Sequence, residues 1–344
     1  MSGVTSSSIL VIADPGVPAA MAERLSESLP EVLPESTSAQ RQWDVSVRRD
    51  AYAIDEHDDV SDVVRTIDPA GEDADIVLYL TDLPRRTETT PTIADISVQH
   101  RFAVISIPAM GGVRIHRRVR AMATTAVAEM LQSGEPDNSA KRLTRTEEGG
   151  VVRYSAPSTL SRLRLLAGMV YANRPWRLVS GMSKVMMAAF ATGAVSLAYP
   201  TIWQLSDTMG PWRLIAATIL ATAAMIAWLI LDHELWERPH SADERERARL
   251  YNAATVITLT IGVAIFHVAL FLLLLVTAWW TIPPQLIAQN IGHPVELSTL
   301  LLLAWLVAAI ATLGGALGSG MEDDEAVKSA AYGVRQRQRF DREN

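Results

Sequence analysis

The sequence predicts two unlike parts, an α/β domain and, after it, an all-α bundle of four transmembrane helices. Apolar residues make up 49% of the 344 positions and are concentrated in the second half of the chain. This uneven distribution indicates a water-soluble part and a membrane part. Short strand-like runs alternate with helical stretches in the first part, whereas the second part contains four much longer apolar segments. The first pattern suits a domain in water, and the second suits helices in lipid.

The α/β domain is predicted over residues 1–132 by four short runs that read as strands. The runs are SILVIAD, WDVSVRR, ADIVLYLTD and RFAVISIP, and helical patterns lie between or after most of them. Continuous apolar strands that alternate with helices are typical of a parallel sheet covered on both faces. We therefore expect a small Rossmann-like or flavodoxin-like layer. The start MSGVTSSSIL lacks the basic region of a signal peptide, so we expect this domain to stay in the cytosol.

The ends of these strands predict a ligand site, because open α/β sheets bind ligands at the carboxyl ends of their parallel strands. Paired glycines ahead of a helix let backbone amides approach an anion, and arginines follow them in the sequence. Binding of an anion or a nucleotide is the resulting hypothesis, and a tight turn without a ligand is the alternative. The candidate residues are Asp14, Gly16, Asp82, Arg85, Gly111, Gly112 and Arg114.

Two aspartates in this set allow two interpretations. Asp14 and Asp82 are favoured as caps of helices or turns, and they would bind Mg²⁺ only if they were adjacent. No metal site and no catalytic residue is predicted. The chain contains no cysteine, no GxSxG elbow, no Walker A sequence and no dinucleotide fingerprint, and its histidines lack metal-ligand spacing. The sequence leaves any cofactor unknown.

Between the two parts, the sequence predicts a linker and then a basic helix. Residues 133–157 are polar and rich in helix breakers, which indicates a flexible linker. Residues 158–182 place apolar side chains at helical spacing beside arginines, which predicts an amphipathic helix on an anionic inner leaflet. The alternative is that this helix packs on the soluble domain.

Four apolar segments of about 20 residues or more predict four membrane spans. They cover approximately 185–203, 212–231, 253–280 and 297–318, and a charged tail follows over 320–344. Lys and Arg occur only in alternate loops, so both termini are expected in the cytosol of a bacterium, with the spans in its cytoplasmic membrane. Trp203, Trp212, Trp279 and Trp280 then share the outer interface, where indole rings favour the headgroup level.

One ionisable side chain, His267, lies within the third span. An ionisable residue at membrane depth is a functional hypothesis by default. However, the interiors of the four predicted spans contain no Asp, Glu or Lys to complete a proton path. The favoured interpretation is a hydrogen bond across helices, and contact with a pore or ligand and haem ligation are the alternatives. The hydroxyls offered as partners are those of Thr192, Thr218, Thr222 and Thr312.

This layout resembles uncharacterised bacterial integral membrane proteins with an N-terminal cytosolic Rossmann-like domain and four transmembrane helices. The resemblance is one of architecture and implies no activity. Three functions stay open, of which a membrane-anchored module that senses a ligand or recruits a partner is favoured. The others are an oligomeric channel or transporter component with His267 near the pathway, and a nucleotide-dependent membrane-anchored enzyme. The expected partners are lipid and another membrane protein or a second copy of the chain, and no nucleic acid is expected.

Overall fold

The computed structural model describes residues 6–33, 42–55, 58–87, 90–132, 143–157, 161–239 and 244–318. The chain divides into two compact units, of which the first ends at Ala172 and the second begins at Asn173. The first unit carries a sheet with α/β character, and the second is made of helices. The predicted charged tail, 320–344, and the first ten residues of the predicted linker, 133–142, lie outside the described residues.

The first unit is built on one mixed sheet of eight strands. The strands are β1 Ser6–Ala13, β2 Gln42–Arg49, β3 Ile76–Thr81, β4 Arg86–Thr87, β5 Thr90–Ser97, β6 Phe102–Ser106, β7 Thr144–Glu148 and β8 Val151–Ser155. Their order is β2-β1-β3-β6-β5-β8-β7, with β4 paired to β5. Strands β2, β1, β3 and β6 pair in parallel, and the other pairings are antiparallel.

The parallel half of the sheet consists of the four runs that the sequence analysis predicts as strands. Every residue of β3 and of β6 is buried. Strands of a parallel sheet are covered on both faces, which is why their sequences are continuously apolar rather than alternating. The prediction of a sheet domain with α/β character is therefore confirmed at this level, and the four predicted strands form the parallel part of a sheet that is mixed as a whole.

The antiparallel half corrects the linker prediction. Strands β7 and β8 form a hairpin over residues 144–155, within the segment that the sequence predicts as flexible. Gly149 and Gly150 join the two strands with φ angles of +58° and +78°. Tight hairpin turns require positive φ at both central residues, so these glycines build a turn rather than a break in structure. Strand β5, which begins Thr90-Pro91-Thr92, is also absent from the sequence prediction.

Helices cover both faces of the sheet. The helices of this unit are α1 Val17–Ser28, α2 Val60–Ile67, α3 Ile115–Leu131 and α4 Ser161–Asn173. Helix α2 packs on the face that carries Ile12, Tyr79 and Val104. Tyr154 of β8 donates to Glu129 of α3, with 2.6 Å between oxygens. Arg153, next to Tyr154 in β8, lies opposite Asp95 of β5, which in turn lies opposite Val104 of β6. Arg153 therefore projects from the same face as Val104, the face that α2 covers. Neighbouring residues of a strand project from opposite faces, so Tyr154 and helix α3 lie on the other face.

Helix α4 packs on the loop that follows β6, a contact that corrects the prediction of a membrane-surface helix over 158–182. A Cβ atom added to Gly168 would lie 2.0 Å from the carbonyl oxygen of Pro108, so the two backbones touch. Arg164 Nε donates to the Ala109 carbonyl at 3.1 Å. Leu165 and Met169 are buried. The apolar spacing of this helix therefore serves packing within the first unit, the alternative that the sequence left open.

The second unit contains the long apolar helices. Its helices are α5 Leu178–Gly181, α6 Ser183–Ser196, α7 Pro200–Thr208, α8 Gly210–Asp232, α9 Glu244–Thr281, α10 Pro284–Ile291 and α11 Leu297–Gly318. Within the described residues, α8, α9 and α11 are each long and apolar enough to cross a membrane. Helices α6 and α7 pass the same test only as a pair, so the described residues contain three candidate spans, or four with the pair counted as one.

The bend between α6 and α7 corrects the first predicted span, 185–203. The two helices make an angle of 91°. Pro200 is the first residue of α7, and Tyr199 before it has an extended backbone. Proline disfavours the helical conformation in the residue that precedes it, which explains the break. Trp203 Nε1 then donates to the Leu197 carbonyl at 2.9 Å, so the indole bridges the bend.

Close packing and outward apolar faces characterise the helical unit. Gly314 and Gly315 of α11 face Thr192 and Ala189 of α6, and an added Cβ would approach each neighbour to 3.0 Å. Small residues allow helix backbones to approach closely, as is common between membrane helices. The outward faces of α8 and α9 are apolar, with exposed side chains that include Ile219, Leu220, Leu231, Val268, Leu272 and Val276. Exposed apolar faces of this extent are typical of contact with lipid.

Candidate functional site

The carboxyl ends of β1 and β3 bring the two predicted aspartates together. Asp14 directly follows β1 and is fully buried, and Asp82 directly follows β3. The Asp14 carboxylate accepts hydrogen bonds from Tyr79 Oη at 2.5 Å, from Thr81 Oγ1 at 2.7 Å and from the Asp82 amide at 3.2 Å. These bonds run from β3 to the end of β1. Adjacent parallel strands end at the same edge of the sheet, which explains the juxtaposition.

The pKa of the Asp82 carboxyl group is strongly raised. Burial, together with the negative charge of Asp14 beside it, raises the pKa of Asp82 well above its usual range. Its Oδ1 atom is inaccessible to solvent and accepts no hydrogen bond from the described residues. A protonated Asp82 can donate to the neighbouring carboxylate of Asp14, whereas two charged carboxylates side by side repel each other. The pair therefore favours one shared proton.

The predicted glycines Gly111 and Gly112 pack against helix α4. Gly111 has φ +84°, and a Cβ atom there would lie 3.0 Å from Cγ of Arg164. A Cβ atom at Gly112 would lie 3.1 Å from the Ala167 carbonyl oxygen. These glycines therefore allow helix α4 to approach the loop closely. Gly16, with φ +105°, precedes α1, and the exposed Arg114 has φ +52° at the start of α3.

The predicted residue Arg85 belongs to a buried ion pair that the sequence analysis does not identify. Arg85 Nη2 lies 3.1 Å from Asp95 Oδ2, and Arg153 Nε lies 2.6 Å from Asp95 Oδ1. Arg85 Nη2 also donates to the Asp58 carbonyl at 2.6 Å. Asp95 is fully buried on β5, between β6 and β8. One carboxylate thus holds two guanidinium groups, and this gives Arg85 a structural role.

The geometry around His267 is that of a hydrogen bond between two helices. His267 Nδ1 of α9 lies 3.0 Å from Thr312 Oγ1 of α11, and both side chains are buried. The Thr312 hydroxyl donates its own proton to the Ala308 carbonyl at 2.8 Å. The imidazole must therefore donate through Nδ1–H, which assigns the tautomer. Among the four threonines that the sequence offers as partners, Thr312 makes this contact.

The missed members of the strand-end site are Tyr79 and Thr81. Both lie in the run ADIVLYLTD at alternate positions, so they project from the same face of the strand. A tyrosine and a threonine at this spacing, just before an aspartate at a strand end, are the signal that was available. Asp95 gave no comparable signal, because β5 itself is not predicted.

The described side chains at this edge include two neighbouring carboxyl groups, those of Asp14 and Asp82. Within the described ranges, no group of three or more His, Cys, Asp or Glu residues is placed to hold a metal ion. Comparison with protein-family models, with curated proteins and with solved structures yields no match. The argument for function therefore rests on the geometry of the site.

Proposed function

We propose that this chain is a membrane-anchored sensing module, in which the carboxyl edge of the sheet is the input and helix α4 carries the signal toward the helical unit. The observation that carries the proposal is the backbone contact between Gly168 of α4 and Pro108. Pro108 lies in the loop directly after β6, on the edge that holds the Asp14–Asp82 pair. A structural change at that edge can therefore reach helix α4 through its contact with Pro108.

The continuity of α4 supports a coupling role. Its last residue, Asn173, is the first residue of the second unit, where its Nδ2 donates to Thr258 Oγ1 of α9 at 3.2 Å. A rigid helix with packed contacts is an element through which two sites can be coupled. Because the glycines beside the loop admit only close packing, displacement of the loop displaces α4 or breaks the contact. The first outcome changes the position of α4, and the second changes its packing.

The remaining features of the proposal follow from the sequence. We place the helical unit in the cytoplasmic membrane of a bacterium, with both termini and a Rossmann-like sheet domain in the cytosol. Basic residues beside the first span face anionic lipid, and a second membrane protein or a second copy receives the signal. The His267–Thr312 hydrogen bond supports helix packing, so a transport pathway through His267 is not part of the proposal.

The test uses the proton as the input signal, because the shared proton of Asp14 and Asp82 is lost as pH rises. Hydrogen–deuterium exchange of the full-length chain in lipid nanodiscs is measured at acidic and at alkaline pH, with intrinsic exchange rates corrected. We expect residues 161–173 to lose protection at alkaline pH, when repulsion between the two carboxylates opens the edge. In Asp82→Asn, which stays neutral, the protection of α4 is expected to be independent of pH.

Two variants complete this test. Asp44→Asn removes an exposed carboxylate from β2 and should retain the wild-type pH response. Gly168→Ala should uncouple the two elements, so that the strand edge responds to pH while α4 does not. The proposal fails if α4 of the wild type shows the same protection at both pH values, or if Asp82→Asn responds to pH as the wild type does.

A further inference from the structure

A basic cleft lies between helices α1 and α3, on the face of the sheet opposite Asp14 and Asp82. Its volume is about 290 Å³. Met21 and Val119 are buried in its floor, and four basic side chains surround it. These are Arg24 of α1 and His116, Arg117 and Arg120 of α3, all of them exposed. Because residues three and four apart share one side of a helix, the three residues of α3 project toward the same space.

The arginines of this cleft differ from several other arginines of the sheet unit. Arg48, Arg145 and Arg153 each pair with a carboxylate. Arg24, Arg117 and Arg120 make no ion pair within the described part of the chain. The nearby Glu23 is already engaged by Arg49. The cleft therefore concentrates positive charge that the described residues do not neutralise with an ion pair.

A contact between Arg24 and His116 also bears on the charge of the cleft. Arg24 Nη1 lies 2.6 Å from His116 Nε2, so the guanidinium donates to a neutral imidazole. Burial and the positive charge of Arg24 lower the pKa of His116. Cations gathered in this way repel each other, and the repulsion is relieved when an anion of matching geometry enters.

We propose that this cleft binds a phosphate-type dianion, either a free phosphate group or the phosphate of a lipid headgroup. Planar guanidinium groups bind phosphate oxygens through paired charge-assisted hydrogen bonds, and two helices here supply three of them. The hydroxyl of Ser28 also lines the cleft, where it donates its proton to the Arg24 carbonyl at 2.9 Å. The proposal is independent of the sensing function, since it uses the opposite face of the sheet and none of the residues of the carboxyl edge.

The experiment measures how rapidly phenylglyoxal modifies individual arginines of the full-length chain, with mass spectrometry as the readout. The chain is held in nanodiscs of phosphatidylcholine, with and without inorganic phosphate, and in nanodiscs that also contain phosphatidic acid. Arg101 is the internal control, because it is exposed and makes no ion pair within the described part of the chain. We expect modification of Arg24, Arg117 and Arg120 to slow relative to Arg101.

The two nanodisc compositions distinguish the source of the phosphate. Slowing by inorganic phosphate in neutral discs identifies a free phosphate group, and slowing only with phosphatidic acid identifies a lipid headgroup. Arg120→Gln should weaken the binding roughly tenfold, as loss of a charged hydrogen bond does, while Arg101→Gln leaves it unchanged. The proposal is overturned if neither phosphate nor phosphatidic acid slows the cleft arginines more than Arg101.

Discussion

The sheet unit and the helical unit differ in the polar groups that they bury and in the side chains that they expose. In the sheet unit, charged groups lie inside, and Asp95 is fully buried between Arg85 and Arg153. In the helical unit, the long helices turn apolar side chains outward, and α9 and α11 are joined by the buried hydrogen bond between His267 and Thr312. The difference follows from the surroundings. A domain in water keeps apolar atoms away from its surface, whereas helices in lipid gain no hydrophobic driving force from doing so.

The largest expected effect is loss of the buried charge in the sheet unit. Asp95→Asn keeps the shape of the side chain but leaves two guanidinium groups without a counter-ion, and breaking a buried pair costs roughly 3–5 kcal/mol of unfolding free energy. Because the chain has no cysteine, a single reporter can be introduced as Ala126→Cys at a buried position. Its labelling is then followed against denaturant concentration.

The matched control for this prediction is an exposed ion pair in the same unit. Asp62 lies 2.6 Å from Arg65, and both side chains are at least half exposed. Asp62→Asn should lower the unfolding free energy by no more than about 0.5 kcal/mol, because water screens exposed pairs. Equal losses in Asp95→Asn and Asp62→Asn would contradict the assignment of Asp95 as a structural centre.

The next effect compares two closely packed glycines, one in each unit. In the sheet unit, an added Cβ at Gly168 meets the Pro108 carbonyl oxygen at 2.0 Å, and backbone cannot move aside. In the helical unit, an added Cβ at Gly193 meets Leu274 Cδ2 at 2.7 Å, and that methyl group can rotate. We expect Gly168→Ala to cost roughly 1–3 kcal/mol and Gly193→Ala less than about 1 kcal/mol.

Both glycine variants are to be measured by labelling of single buried cysteines against denaturant, with one reporter in each unit. The helix propensity of alanine partly offsets the clash at both positions, so the difference between them isolates the obstacle. A larger loss at Gly193 than at Gly168 would mean that the packing of α6 is less adaptable than that of α4.

A smaller effect is expected for the polar contact inside the helical unit. Hydrogen bonds between membrane helices average about 0.6 kcal/mol in double-mutant cycles. The cycle here combines His267→Ala with Thr312→Val, and it is read by unfolding of the chain in bicelles. Thr222→Val is the control, since Thr222 Oγ1 donates to the Thr218 carbonyl of its own helix. Zero coupling between His267 and Thr312, or equal coupling of His267 to Thr222, would remove the packing role.

The smallest effect concerns an exposed pair at one end of the helices. His293 Nε2 lies 3.1 Å from Asp207 Oδ1, and the Pro294 carbonyl and Asp207 both raise the pKa of His293. The stabilisation is complete below the ordinary histidine pKa and is lost as pH rises through the raised value. Hydrogen exchange of residues 292–296 should therefore increase with pH after intrinsic correction. Asp207→Asn should abolish this dependence, and an unchanged profile would disprove the pairing.

The sequence predicted those elements whose residue pattern lies within the segment itself. The four parallel strands, α11 and the long third span follow from apolar runs that are readable without a partner. Strand β5 and the β7–β8 hairpin escaped prediction, because their sequences are polar and their strand character comes from pairing with β6 and with each other. Pro200 was visible in the sequence, yet its apolar neighbours outweighed it, and a continuous span was predicted where the chain bends.

The site shows the same division. That Asp14 and Asp82 end neighbouring strands follows from the strand pattern, and so does their position at one edge of the sheet. That they share a proton depends on burial and on Tyr79 and Thr81, which only the folded sheet brings to them. Gly111 and Gly112 are typical of both a phosphate loop and a close helix contact, and only the folded chain shows that a helix some fifty residues further along packs against them.

The sequence by itself determined that this protein has a sheet domain and helices apolar enough to span a membrane, because solvent preference is a property of each segment's own side chains. Only the tertiary structure decided where charge is compensated. The ion pair Arg153–Asp95 joins residues 58 positions apart, and the arginines between α1 and α3 make no ion pair with the described residues. Coulomb interactions depend on distance in space, and separation along the chain does not determine that distance.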